Sequence, residues 1–287
     1  MVHPLVKQNK VFLAAGVYDV LSAKIAERAG FHTVVVTGFG VAASYLGKPD
    51  FGLLTQTEIL DTARRIINAV DIGVVIDGDT GYGGALNVRR MVKEAIAMGA
   101  RGLLLEDQTW PKRCGHMRGK SVVPMEEHVQ KIRAAVDAKG EAPFIITART
   151  DARDPLGLDE AIRRGQAYKE AGATIIFVEA PRTKEEMERI AAEVPPPLVI
   201  NNIEGGQTPI LSIEELNEMG YLSVGYVLSG LFSAAKALDN TFRHLIEHGN
   251  TDAIRDTMME FSEFTELIGV EEFYELDEKY RPQTGGE

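Results

Sequence analysis

The chain has 287 residues, of which 45% are hydrophobic, and its formal net charge is −11. This length fits one large domain with a sizeable core, since α/β barrels of this size commonly do not divide. The negative charge argues against binding to nucleic acid or to an anionic membrane, because both need clustered Lys and Arg. One cysteine excludes an internal disulfide framework and a cysteine zinc cluster. Without a long apolar run or a leader-like N-terminus, the sequence predicts a cytoplasmic protein.

Apolar and β-branched runs alternate along the chain with helical patterns. The predicted strands are Val11–Gly16, Thr33–Gly38, Gly73–Asp79, Gly102–Asp107, Phe144–Thr150, Thr174–Ala180, Leu198–Ile203 and Tyr221–Val227. Such continuous hydrophobicity is typical of parallel strands covered on both faces. Helices are predicted between them, for example over Asn87–Met98, Met125–Ala138, Leu158–Ala171 and Lys184–Val194. Eight units favour an α/β fold of the (β/α)8 type. An open doubly wound sheet is the alternative, but it usually needs a phosphate-binding glycine loop that Gly16-Val17-Tyr18-Asp19 does not provide.

The last part of the chain predicts helices beyond the barrel. Ser229–His248 has the pattern of one long helix, and Asp252–Tyr280 adds further helical segments. No linker rich in Pro, Gly or Ser divides the chain, so we expect residues 1–287 to form one barrel domain with an extension over about 229–283. An apolar helix such as Phe261–Phe273 needs a surface to cover, and a neighbouring subunit is the expected one.

Carboxylates follow two neighbouring strands of the predicted barrel. Asp77 and Asp79 end the third strand, and Glu106 and Asp107 end the fourth. The carboxyl ends of barrel strands form one rim, where active sites lie. Buried carboxylates are costly there unless they are paired, hydrogen-bonded or metal-bound, and Mg²⁺ commonly takes one or two of them with water and substrate oxygens. The pattern predicts a divalent metal site in which Asp79 and Glu106 are the favoured ligands. Asp77 and Asp107 are expected to lie next to these ligands without binding the metal directly.

Other polar residues end the second, fifth and sixth strands. Arg149 offers a planar fork to a carboxylate or a developing oxyanion, with an ion pair to Asp151 or Glu179 as the plainer alternative. Glu179 is placed to orient Arg149 or a metal-bound water. The Thr37-Gly38-Phe39-Gly40 segment offers N–H groups and a hydroxyl that suit a carboxylate.

The segment from Gln108 to Pro124 is long for a loop between strand and helix, which is typical of a lid. It carries Cys114 among Lys112, Arg113 and His116. A lone cysteine is more often a buried apolar residue than a catalyst. Here the basic neighbours are expected to lower the thiol pKa and to suit Cys114 to acid–base work.

The Lys112-Arg113-Cys114-Gly115-His116 motif resembles the signature of the isocitrate lyase/phosphoenolpyruvate mutase superfamily, and the resemblance covers nearly the whole chain. The other matching segments are 47–52, 77–83, 106–108, 148–151 and 201–206. The resemblance implies a barrel whose last helix is exchanged between subunits, commonly in a homotetramer, with Mg²⁺ or Mn²⁺ as cofactor. It also implies a small dicarboxylate substrate.

The resemblance further implies roles for individual residues. The expected metal site comprises Asp77, Asp79 and Glu106; the expected catalytic residues are Cys114, Arg149, Glu179 and His116; the expected substrate contacts are Thr37, Gly38, Phe39, Asp50, Gly115 and Asn201. The activity it implies is cleavage of a 2-alkylmalate to a 2-oxo acid and a carboxylic acid. Methylisocitrate cleavage, oxaloacetate hydrolysis or decarboxylation, and carboxyphosphonate mutase chemistry stay open as alternatives. The segment Glu204-Gly205-Gly206 differs from methylisocitrate lyases, and Cys114 speaks against phosphoryl transfer on phosphoenolpyruvate.

Overall fold

A computed structural model describes residues 10–282. Eight parallel strands close into a barrel in which β8 pairs with β1, so the predicted (β/α)8 fold is confirmed and the open sheet is excluded. The strands are β1 (Phe12–Val17), β2 (Thr33–Val36), β3 (Gly73–Asp77), β4 (Gly102–Glu106), β5 (Ile145–Thr150), β6 (Ile175–Val178), β7 (Leu198–Asn201) and β8 (Ser223–Tyr226).

Helices follow the strands in sequence. They are α1 (Val20–Arg28), α2 (Gly38–Val41), α3 (Gln56–Ile67), α4 (Ala85–Ala97), α5 (Met125–Lys139), α6 (Arg153–Leu156), α7 (Leu158–Glu170), α8 (Lys184–Glu193), α9 (Ile213–Met219), α10 (Ser229–His248), α11 (Phe261–Leu267) and α12 (Val270–Tyr280). A π-helical turn, Ala42–Leu46, continues α2, and a 3-10 helix, Asp252–Thr257, precedes α11. Within residues 10–282, no helix is long and apolar enough to cross a membrane.

Several predicted boundaries are shifted for reasons that the backbone makes clear. The third and sixth predicted strands extend too far, because Asp79 and Ala180 adopt left-handed φ angles of 47° and 54°. The single helix expected over Phe261–Phe273 is two helices, since Gly269 takes a φ of 78° between α11 and α12. The turn at Asp79 lies where the metal site is predicted.

The two faces of the barrel sheet are buried to different degrees. Residues that point outward, such as Val34, Ile76 and Leu103, are fully buried beneath the helices, where the hydrophobic core lies. Inward-pointing neighbours such as Val35 and Val75 are only half-buried. The sheet therefore seals its outer face while its interior keeps free space.

Contacts divide the described chain into two compact units, one ending at Phe232 and the other beginning at Ser233. The second unit contains most of α10, together with α11 and α12, and exposes large apolar side chains. Ile246 is 91% exposed, Phe261 84% and Phe273 68%. An apolar face of this kind suits a subunit contact, and helix exchange between subunits stays a prediction.

Gly16, near the end of β1, allows the closest approach between β1 and the chain after β8. A Cβ atom there would lie 1.9 Å from the Val227 carbonyl oxygen. We expect Gly16→Ala to lower the free energy of unfolding by about 1–3 kcal/mol, the usual cost of overpacking. Thermal unfolding measures this, with Gly84→Ala as the matched control, because a Cβ atom at Gly84 meets nothing within 4 Å. Equal melting temperatures for the two variants would contradict the packing at this barrel seam.

Candidate active site

The predicted site residues gather at the carboxyl ends of the strands. One cavity of about 350 Å³ is lined by nine of them. These nine are Thr37, Phe39, Asp50, Asp77, Cys114, Gly115, Arg149, Glu179 and Asn201. The other four predicted residues contact members of that set: Gly38 and Asp79 hydrogen-bond to Asp77, Glu106 lies 3.4 Å from Arg149, and His116 lies 3.4 Å from Glu179. Separate strands and the lid therefore supply one site.

We call the carboxylates at the carboxyl ends of β3, β4 and β6 the acidic rim; they are Asp77, Asp79, Glu106 and Glu179. The Lys112 ammonium links the lid to this acidic rim. Its Nζ donates to Asp50 Oδ2 at 2.7 Å and lies 2.6 Å from Asp79 Oδ1, and the side chain is only 2% exposed. Burial alone would lower the pKa of Lys112, but the carboxylates of Asp79, Glu106 and Asp50 together raise it well above its usual value. Lys112 is therefore a permanent cation at the bottom of the closed lid.

Asp77 and Asp79 occupy a tight turn after β3. Asp77 accepts hydrogen bonds from the N–H groups of Gly38 (3.2 Å) and Asp79 (3.1 Å), and the Tyr82 hydroxyl donates to Asp79 Oδ2 at 2.9 Å. Burial raises the pKa of Asp79 to about 6, although Lys112 opposes the shift. The left-handed φ of Asp79 aims its carboxylate at Lys112 rather than along the strand.

Glu106 is fully buried beside Arg149 at the ends of β4 and β5. Burial raises the pKa of Glu106 well above its usual value, against the opposing charges of Arg149 and Lys112. Arg149 holds Asp151 with two hydrogen bonds of 2.9 Å, so the ion pair considered from the sequence is formed. Its Nη2 atom also lies 3.4 Å from Glu106 and 3.6 Å from Glu179. Arg149 is thus oriented by Asp151 while still facing the cavity.

Asp107 has a structural role behind this pair. It accepts hydrogen bonds from Thr150 Oγ1, the Asp151 N–H, Arg164 Nη1 and the Tyr168 hydroxyl, all between 2.7 and 2.9 Å. Three of these donors bond Oδ2 and one bonds Oδ1, so the carboxylate is held by protein groups on both oxygens. It fixes the end of β5 and, through Asp151, the orientation of Arg149.

The lid lies directly on the site. The Cys114 N–H donates to the Asp50 carbonyl at 3.2 Å. A Cβ atom on Gly115 would lie 2.0 Å from Glu179 Oε1 and 2.4 Å from Arg149 Nη2, so only glycine allows this approach. Lys120 donates to the Gly115 carbonyl oxygen and reinforces the lid from behind.

The expectation that basic neighbours lower the Cys114 pKa is wrong. Burial raises the pKa of the thiol to about 11, and Asp50 and Glu179 add to the shift. Lys112 turns toward Asp50 and Asp79, and Arg113 donates to the Arg118 carbonyl, so neither cation serves the thiol. Cys114 is therefore a neutral thiol at physiological pH, which suits a proton donor rather than a nucleophile.

His116 joins the lid to the loop after β7. The Gln207 N–H donates to His116 Nδ1 at 2.9 Å, and the Gln207 side-chain amide donates to the His116 carbonyl at 2.9 Å. Because Nδ1 accepts, the proton of the neutral ring lies on Nε2, which faces Glu179 Oε1 at 3.4 Å. Burial lowers the pKa of His116 and so favours this neutral form.

The candidate carboxylate-binding segment after β2 is partly engaged within the protein. Thr37 Oγ1 accepts from the Gly40 N–H at 2.8 Å, and the Gly38 N–H is held by Asp77. Thr37 and Phe39 line the cavity, as does Asn201, the last residue of β7. These residues surround space beside the carboxylates that a small dicarboxylate can occupy.

The acidic rim fits a divalent metal by the chemistry of its donors. Both Glu106 carboxylate oxygens are buried without a hydrogen-bond donor; Asp79 Oδ1 likewise accepts none, although its distance to Lys112 is that of an ion pair. Across residues 10–282, no three His, Cys, Asp or Glu side chains are arranged as a complete ligand set. Mg²⁺ needs only one or two carboxylates when water and substrate complete its shell. Asp79 and Glu106, with Asp77 adjacent, are suitable ligands.

Three residues at the site were not assigned roles from the sequence. The sequence predicts Lys112 only as a basic neighbour of Cys114, and it assigns no role to Tyr82 or Gln207. For Lys112 a signal existed, because a lysine in a lid opposite several strand-end carboxylates is a natural counter-ion. Tyr82 and Gln207 act through turns, and the hydrophobic periodicity of a sequence does not predict the geometry of a turn.

The raised pKa of Cys114 has a direct chemical consequence. Since the folded-state pKa is about 11 rather than the usual 9.0, the reactive thiolate is scarce at neutral pH and increases as pH rises toward 11. We expect iodoacetamide to label the native protein slowly at pH 8 and progressively faster with increasing pH. The urea-unfolded chain is the control, because Cys114 is the sole cysteine. Fast native labelling at pH 7 would show that the thiol is not held protonated.

Two curated relatives align with nearly the whole chain. The petal death protein of Dianthus caryophyllus is 49% identical, covering 97% of this chain and 88% of the relative. The 2,3-dimethylmalate lyase of Eubacterium barkeri is 45% identical, covering 96% of each chain. The likeness to these two proteins agrees with the motifs of the sequence.

Solved structures and a family model give the same assignment. Oxaloacetate acetylhydrolase bound to 3,3-difluorooxalacetate has a TM-score of 0.89 and 35% identity, covering 98% of this chain and 95% of that one. Phosphonopyruvate hydrolase in complex with oxalate and Mg²⁺ has a TM-score of 0.85 and 31% identity, covering 96% of each. The family model described as phosphoenolpyruvate phosphomutase matches residues 2–246. The chain therefore belongs to the phosphoenolpyruvate mutase/isocitrate lyase superfamily and is an enzyme of the oxo-acid lyase kind.

Proposed function

We propose that the enzyme is a Mg²⁺-dependent lyase that cleaves a 2-alkylmalate between C2 and C3, giving a 2-oxo acid and a carboxylic acid. Buried carboxylate oxygens without donors, at Glu106 and Asp79, lie beneath a lid that carries a protonated thiol; this observation carries the proposal. The similarity to 2,3-dimethylmalate lyase supports this substrate class.

Substrate binding divides between two groups of residues. Asp79 and Glu106, with Asp77 directly or through water, would hold Mg²⁺ or Mn²⁺, which when bound polarises the C2 oxygen and its carboxylate. Thr37, Phe39 and Asn201 line the space for that carboxylate, and Arg149 offers its guanidinium to the second one. Lys112 and Asp50 close the site from the lid side.

Bond cleavage requires two proton movements by protein groups. A rim carboxylate takes the C2 hydroxyl proton; Glu179 is suited, because its Oε2 is buried in the cavity wall without a donor. The C2–C3 electron pair passes to C3 as C2 becomes a ketone, and Arg149 stabilises the resulting enolate of the second carboxylate. The Cys114 thiol then gives its proton to C3. Before the next turnover, Glu179 releases the proton that it took from the C2 hydroxyl and the strongly basic thiolate gains one, so the protons balance.

Oxaloacetate hydrolysis is the second candidate, because oxaloacetate acetylhydrolase shares the fold closely. Methylisocitrate cleavage is less favoured, because the segment Glu204-Gly205-Gly206 differs from methylisocitrate lyases. Carboxyphosphonate mutase chemistry stays open as a further alternative. Products separate these candidates: oxalate with acetate indicates oxaloacetate hydrolysis, pyruvate with CO₂ indicates decarboxylation, and pyruvate with succinate indicates methylisocitrate cleavage. A 2-oxo acid with a monocarboxylic acid indicates cleavage of a 2-alkylmalate. We further propose that the enzyme is cytoplasmic and that it is a homotetramer. The exposed apolar side chains of α10 to α12 support contacts between subunits.

Cys114→Ser tests the proton donor. General acid catalysis typically contributes 10²–10⁴-fold, so we expect a loss of about that size in kcat for 2,3-dimethylmalate, with binding of oxalate retained. Arg118→Ala, in the exposed part of the same lid, is the control and should keep normal turnover. A Cys114→Ser enzyme with normal kcat would remove the thiol from the chemistry.

Metal dependence tests the acidic rim. We expect chelator to abolish 2-oxo acid formation and added Mg²⁺ to restore it, because the substrate oxygens need the cation. In titration calorimetry, Glu106→Gln and Asp79→Asn should weaken Mg²⁺ binding at least about tenfold, as loss of a charged ligand would. Asp137→Asn, at a side chain that is 71% exposed, should bind as the parent does. Unchanged affinity in both rim variants would place the metal elsewhere.

A further inference from the structure

The active-site cavity continues along the whole axis of the barrel. Alternate residues of five strands line its wall: Phe12 and Ala14 on β1, Thr33, Val35 and Thr37 at β2, Ile145, Thr147 and Arg149 on β5, Ile175, Phe177 and Glu179 at β6, and Ser223, Gly225 and Val227 at β8. On β7 the three consecutive residues Val199, Ile200 and Asn201 line it. We call the part below Thr37, Arg149 and Glu179 the axial cavity.

An unfilled barrel interior is unusual. Barrels of this fold ordinarily fill it with layers of bulky branched side chains, and protein interiors pack without voids. Here Ala14 and its β8 partner Gly225 leave one side of the interior without bulk, and Val35, Val75, Leu104 and Val199 stay half-buried. The free space costs packing contacts, so a ligand that fills it gains them.

The chemistry of the wall specifies the kind of ligand. Most axial-cavity residues are aliphatic, and its uncharged polar side chains are Thr33, Thr147 and Ser223. The Ser223 hydroxyl donates to the Phe12 carbonyl at 2.8 Å. Apolar cavities of this kind stay dry and take up apolar molecules. The upper end is charged instead, with Lys112, Arg149 and Glu179 in the same wall. A single molecule that matches both ends has a dicarboxylate head and an apolar tail.

We propose that the axial cavity binds an unbranched alkyl chain of the substrate, so that the enzyme prefers malates with alkyl groups longer than methyl. This inference rests on the proposed function. The lid residues Lys112, Cys114 and Gly115 cover the rim from above, and the apolar space lies below it. Val35 and Thr37 mark the transition from aliphatic wall to polar rim on β2, so a chain attached to the reacting carbons enters at that level.

The test is a homologous series of 2-alkyl- and 3-alkylmalates carrying methyl, ethyl, propyl, butyl and hexyl groups. In at least one series we expect KM to fall about fourfold for each methylene that becomes buried, with kcat little changed. A KM that stays constant or rises from methyl upward in both series would overturn the proposal.

Two adjacent alanines give a matched pair of variants. Ala14→Leu fills the axial cavity and should raise KM for the hexyl substrate by on the order of tenfold, while methylmalate turnover stays normal. Ala15→Leu adds the same atoms on the neighbouring residue, which does not line the cavity, and should behave as the parent. An Ala14→Leu enzyme that keeps the chain-length preference of the parent would contradict the proposal.

Failure of the proposed function can be distinguished from failure of the axial-cavity proposal. If no malate is cleaved, titration calorimetry with methyl- and hexylmalonate still reports on the cavity. Tighter binding of the hexyl compound by the parent and not by Ala14→Leu supports the axial cavity, and equal binding of both compounds by the parent overturns it. The melting temperature of each variant establishes that it is folded.

Discussion

The structure depends on the concentration of buried negative charge at the carboxyl end of the barrel. Asp50, Asp79, Glu106 and Glu179 are each no more than 6% exposed, in a place where unpaired charge is expensive. Lys112 from the lid offsets part of this charge, which ties closure of the lid to the electrostatics of the rim. The oxygens that stay without donors are those suited to a cation and a substrate.

The arrangement also explains why neighbouring residues have such different roles. Asp107 has four donors and serves only to hold β5, whereas Glu106, one residue earlier on the opposite face of the strand, has none. Arg149 is fixed by Asp151, which is itself held by Asp107. A rigid outer layer thus orients groups that must not reorganise during the reaction.

Much of the architecture could be predicted from the sequence, because its signals are local. Continuous hydrophobicity predicts buried parallel strands such as β3 and β5. The polar residues that follow these strands indicate the carboxyl end of the barrel. The Cys114 pKa could not be predicted, since it depends on where Lys112 and Arg113 point after folding rather than on their position in the chain. The link from Gln207 to His116 joins residues 91 positions apart, and no spacing rule reveals such a contact. The free space inside the barrel could not be predicted either, because the sequence does not distinguish strand residues that point inward from those that point outward.

The central claim is that Asp79 and Glu106, with Asp77 adjacent, hold one cation beneath the lid. The most direct measurement is an anomalous difference map from crystals of the enzyme grown with Mn²⁺ and oxalate. The account predicts a manganese peak within coordination distance of an Asp79 or Glu106 oxygen, with the Cys114 thiol facing the ligand. Ordered oxalate with no manganese near those oxygens, or a peak at a different site, would contradict it.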